Sequence, residues 1–176
     1  MYGDCCFTEG KLVLIPIDES GNLGAATTLY EPEYQAANTL NVFYPAFSPD
    51  GRWVAFNMAL GSSYDNENAQ LYVISVDGGE PIPLAAANFA EGITNSWPHW
   101  GPLPDDEVFW LAFASKRAYG DIVNDGVTDP SLLQSQIWVA AFRPALAEAG
   151  GDPSSPAFWL PNQDPETSNH TSYWGR

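Results

Sequence analysis

Apolar residues in this chain come in short runs, separated by clusters of Gly, Pro, Asp, Asn and Ser. Runs of that length between turn residues predict strands rather than helices. One strand recurs three times: Lys11-Leu12-Val13-Leu14-Ile15-Pro16-Ile17-Asp18, Gln70-Leu71-Tyr72-Val73-Ile74-Ser75-Val76-Asp77 and Gln136-Ile137-Trp138-Val139-Ala140-Ala141-Phe142-Arg143. A second series runs through Tyr44-Pro45-Ala46-Phe47-Ser48, Trp97-Pro98-His99-Trp100-Gly101 and Thr171-Ser172-Tyr173-Trp174-Gly175. Trp53-Val54-Ala55-Phe56 does not alternate, and a continuous apolar run fits a strand covered on both faces. Asp50-Gly51 before it is the signature of a two-residue hairpin turn, in which both residues take positive φ.

The internal repeat organises these strands into units of four. The first unit is expected near 44–48, 52–58, 70–77 and 81–85, and the second near 96–100, 107–115, 135–143 and 157–161. Residues 11–18 and 27–30 supply two strands ahead of them, and Thr171 to Gly175 opens a further unit. Insertions lengthen the repeat at Ser62 to Asn68 and Ala118 to Ser131, and Pro144 to Pro156 begins with a helical turn, since Pro suits a first helical position. Phe47, Trp53, Phe56, Tyr72, Trp100, Phe113 and Trp138 are expected at or near the cores.

The words Phe47-Ser48-Pro49-Asp50-Gly51-Arg52, followed by Ala55-Phe56, resemble the PD40 repeat, the WD40-like blade of TolB-type β-propellers. The resemblance spans roughly residues 11 to 176. It is fullest over 44–84, while the second unit replaces Ser48-Pro49-Asp50-Gly51 with Gly101-Pro102-Leu103-Pro104-Asp105-Asp106. It implies an all-β fold of two antiparallel four-stranded propeller blades, with partial flanking blades. Residues 1–176 then form a single incomplete β-propeller domain: a partial blade at 11–30, blades at 44–85 and 96–161, and the first strand of the next at 171–175. Closed propellers have at least four blades, so the chain is expected to be the C-terminal part of a longer propeller, a subunit that completes a ring with other chains, or an open stack in a complex. Other protein subunits are expected to cover its open blade edges. The resemblance further implies an extracytoplasmic bacterial protein, periplasmic or cell-surface, whose propeller serves as a non-enzymatic interaction or scaffold module. The alternative is a propeller accessory to an enzyme, either a hydrolase or an extracytoplasmic redox complex.

Charge narrows the partners. The net charge is −16, with Lys11, Arg52, Lys116, Arg117, Arg143 and Arg176 the only Lys and Arg residues. Such a field repels phosphate backbones and anionic lipid surfaces, which argues against nucleic-acid binding. No apolar run is long enough to span a bilayer as a helix, and Met1-Tyr2-Gly3-Asp4 lacks the basic start of a signal peptide.

Candidate chemistry is sparse. His99 and His170 are the only histidines and no G-x-S-x-G elbow occurs, so no nucleophilic triad is assembled and no catalytic residue is expected. His99, inside Trp97-Pro98-His99-Trp100, reads as packed between aromatics. Ser48 to Trp53 is close to a sialidase Asp-box but misspaced, and Asp50 reads as a turn residue bonding nearby amides. No cofactor is expected. The one candidate metal site is Asp121, Asn124, Asp125 and Asp129, hard oxygen ligands dense enough for Ca²⁺; with Val123 and Leu132 breaking the EF-hand pattern, a solvated acidic loop is the plainer reading. Adjacent Cys5 and Cys6 bridge each other poorly, which leaves pairing outside the chain or a reduced state.

Overall fold

The computed structural model of the chain describes residues 6–35, 38–102, 107–118 and 134–175. The described residues form an all-β fold of antiparallel sheets. A small sheet pairs β1 (Leu12–Leu14) with β2 (Thr27–Tyr30). Two four-stranded meanders follow. The first consists of β3 (Leu40–Phe47), β4 (Trp53–Leu60), β5 (Gln70–Ser75) and β6 (Ile82–Pro83). The second consists of β7 (Asn95–Trp100), β8 (Phe109–Ser115), β9 (Gln136–Phe142) and β10 (Phe158–Trp159). A four-residue helix, α1 (Ala85–Asn88), links the meanders, and α2 (Pro144–Glu148) starts on its proline as expected.

The layers explain the apolar runs. Trp53, Ala55, Leu71 and Val73 of the first meander pack on Trp100, Leu111, Phe113, Trp138 and Phe142 of the second. The opposite face of the first meander, through Val54, Phe56, Met58 and Ile74, packs on Leu12 and Leu29 of the small sheet. With both faces covered, every β4 residue except Leu60 is buried, which is why the strand is written without polar alternation. In β8 and β9 the faces still alternate: Phe113 and Trp138 point to the inter-sheet core, and Ala112, Ile137 and Val139 to the other side.

The outer strands are two residues long, and a side chain finishes each edge. The Asn88 amide accepts from the Leu71 N–H at 2.8 Å and donates to the Leu71 carbonyl at 3.0 Å. The Gln163 amide does the same for Ile137, at 2.7 and 2.8 Å. The N–H groups of Leu84 and Leu160 donate to those two carbonyls, both at 3.0 Å. Leu71 and Ile137 are equivalent positions of the repeated strand, so each sheet ends its ladder by one rule and leaves little edge to template aggregation.

Three expectations need correction. The turn before β4 spans residues 48–52 rather than two, and only Gly51 takes a positive φ, of 71°. Asp50 tightens that turn by accepting from the Arg52 N–H at 3.0 Å and from the Ser48 hydroxyl. Phe47 is 59% exposed, although its equivalent Trp100 follows the same bulge and is buried; Phe47 faces the small sheet, which leaves it lining a groove of about 340 Å³ with Leu12, Leu29 and Val54. Thr171 to Gly175 forms no strand ladder with the described residues.

Trp53 is 5% exposed, its ring edge-on to Phe142 at 5.6 Å. Trp53→Ala is expected to lower unfolding free energy by about 3–5 kcal/mol, read from urea denaturation followed by far-UV circular dichroism.

Candidate functional site

The first strands of both meanders are interrupted at the same place. In β3, Phe43 faces Asn57 and Ala46 faces Ala55, so three steps on one strand match two on the other. In β7, Ser96 faces Ala114 and His99 faces Ala112, the same excess of one residue. Each bulge holds an aromatic residue followed by proline, Tyr44-Pro45 and Trp97-Pro98. Tyr44 has φ 54° and Trp97 φ 55°, left-handed values that bulky side chains rarely adopt. Strain of this kind persists only where surroundings enforce it, and it concentrates at functional sites.

The two bulges meet. The rings of Tyr44 and Trp97 stand edge to face with centroids 5.2 Å apart, and Tyr64 and His170 flank Trp97 at 6.5 and 5.2 Å. Between them lies a cleft of about 280 Å³, lined by residues 44–46, 97–99 and Thr171. Tyr44, Trp97 and Thr171 head the three members of the second repeat series, so equivalent positions of three segments converge on one cavity.

Buried polar groups enforce the geometry. Asn57, fully buried in β4, accepts from the Trp97 N–H at 3.0 Å and donates to the carbonyls of Asn95 at 2.6 Å and Gln70 at 3.2 Å. The Trp100 indole donates to the Ala46 carbonyl at 3.0 Å, and the Trp174 indole to the His99 carbonyl at 3.2 Å. Trp100 and Trp174 are equivalent in the repeat, as are Ala46 and His99. Residues 171–175 therefore dock on β7 as β7 docks on β3, even without a ladder of their own.

Arg117 secures the same joint from the other end. It is 5% exposed and makes no ion pair with the described residues. Its guanidinium donates to the carbonyl of Ala87 at 2.7 Å, to the Ser115 hydroxyl at 3.0 Å and to the Asn95 side chain. It also lies 5.2 Å from the Phe113 ring centre and 4.9 Å from that of Trp138. Burial pulls its pKa down to about 10, which leaves it charged at neutral pH.

Sequence reasoning placed the aromatic–proline pairs in register but not their strain or their meeting. Asn57 and Arg117 escaped it; the one usable signal was a polar side chain interrupting an apolar strand. His99 is half-buried beside Tyr173, with ring centres 5.5 Å apart, and His170 bonds Ser168 at 2.7 Å. The proposed metal ligands Asp121, Asn124, Asp125 and Asp129 lie outside the described residues, as does Cys5. Among the described residues, no three His, Cys, Asp or Glu side chains are grouped as metal ligands, and no helix is long and apolar enough to cross a membrane.

Asn57→Leu would strand the Trp97 N–H and the Asn95 carbonyl inside the joint. The expected cost is about 1–3 kcal/mol per orphaned group in denaturant unfolding, with the Trp97 amide losing hydrogen-exchange protection. Desolvation holds the His99 imidazole below its usual 6.5. The unfolded chain then binds this proton more readily, so the stability tied to neutral His99 is complete above about 6.5 and is lost as pH falls through the folded-state midpoint. An NMR titration should place that midpoint below 6.5, and His99→Asn should flatten the acid-side fall in stability.

No family model, curated protein or solved structure matches the chain.

Proposed function

We propose that this chain is a non-enzymatic protein-interaction module, made of two blades and parts of two others from a TolB-like β-propeller in an extracytoplasmic bacterial assembly. One observation carries the reading: the indole-to-carbonyl bond from Trp100 to Ala46 repeats from Trp174 to His99. A bond repeated between successive units is a stacking rule, and propellers are built by radial repetition of four-stranded sheets. In this reading residues 171–175 are an innermost strand waiting for its blade, and the small sheet β1–β2 is the outer half of a preceding one. The bulged first strands line the inner rim, and the cleft between Tyr44 and Trp97 is the place where a partner segment docks.

Tyr173 is 84% exposed and Trp174 39%, and Val13, Ile15 and Ile17 are exposed at the opposite end. Large apolar surface at both ends of a stack calls for a covering chain. The test is sedimentation at micromolar concentration. The expected result is association above the 19.2 kDa chain mass that Trp174→Ser diminishes. A monodisperse 19.2 kDa species, with residues 171–175 already protected from hydrogen exchange, would overturn the reading.

A further inference from the structure

The cleft is lined by aromatic, proline and uncharged side chains. Tyr44 and Trp97 contribute aromatic rings, whose faces are negative. Pro45 and Pro98 line it without an N–H to donate. No lining residue is cationic, and desolvation keeps the His99 ring uncharged at neutral pH. The chain as a whole is anionic, at a net −16. Lys11, Arg52 and Lys116 pair with Glu31, Glu148 and Asp65, and Arg117 is buried.

We propose that the cleft between the two aromatic–proline bulges receives the guanidinium of an arginine side chain presented by a partner protein. The inference deepens the docking role given to this cleft and rests on it. Charge complementarity selects a cation, and the aromatic walls select a planar, weakly hydrated one that stacks, which is guanidinium rather than ammonium. A volume of about 280 Å³ suits one long side chain and not a folded element. The chain already uses the same chemistry internally, where Arg117 lies against Phe113 and Trp138. Pro45, part of the lining, is exposed, so the cleft is reached from solvent.

The experiment is a titration of the whole isotopically labelled chain with N-acetyl-arginine methylamide, and separately with the uncharged isostere N-acetyl-citrulline methylamide. It is run at about 0.15 M salt, so that the diffuse surface field is screened. The arginine probe is expected to shift the Trp97 indole and Thr171 amide signals saturably, and the citrulline probe to bind roughly tenfold more weakly. Trp97→Leu should abolish the effect, while Trp110→Leu, at an exposed ring outside the cleft, should leave it intact. If Trp97→Leu loses the native spectrum, Tyr44→Leu carries the same expectation. Equal saturation by both probes would overturn the cation assignment while leaving a docking cleft. Unsaturable shifts spread over the acidic surface, or equal damage from Trp110→Leu, would overturn the site itself.

Discussion

A single buried amide joins the two large sheets where they are most strained. Asn57 reaches from β4 to the backbone of β7 on both sides of Ser96, at the Asn95 carbonyl and the Trp97 N–H. The bulge at Trp97 needs that anchor, because a tryptophan at φ 55° has no reason of its own to stay there. Once the bulge is set, the ring of Trp97 meets Tyr44 and the indole of Trp100 turns toward Ala46. The cleft, the sheet spacing and the direction of the following segment all follow from this joint.

Much of the fold was legible because the strands write their surroundings into their composition. Trp53 to Phe56 is continuously apolar since both faces of β4 are covered, and the repeated strands of Gln70 and Gln136 fell at β5 and β9. What stayed hidden was whatever depends on counting residues across a ladder. One extra residue at Tyr44-Pro45 and another at Trp97-Pro98 leave both aromatics at positive φ, and no local pattern announces that. The turn at Ser48 to Arg52 was likewise wider than its Asp-Gly pair suggested, because Ser48 and Asp50 close it with side chains. The strand expected at 81–85 is shorter, Ile82–Pro83, and the helix α1 that takes over at Ala85 was not anticipated.

The candidate site was legible only as a pair of aligned words. Tyr44-Pro45 and Trp97-Pro98 stood in one series, but their contact depends on two polar residues that sequence periodicity treats as noise. Asn57 and Arg117 matter because neighbouring sheets bring them backbone partners from far along the chain. The repeat itself runs deeper than the motif that first suggests it. Asn88 and Gln163 share no local sequence context, yet each completes the same position of its sheet. The second unit has lost the turn words of the first and kept the hydrogen-bond plan.

Arg117 divides the molecule into two electrostatic compartments. Among the described residues its charge is held by carbonyls, a hydroxyl, an amide and two ring faces, which are fixed dipoles and quadrupoles rather than a carboxylate. Mobile ions reach the anionic exterior and do not reach this interior cation. Dissolved salt therefore works mainly on the exterior, relaxing repulsion among surface carboxylates while screening the buried charge little. The surface charges answer to dissolved salt, and the buried Arg117 charge barely does.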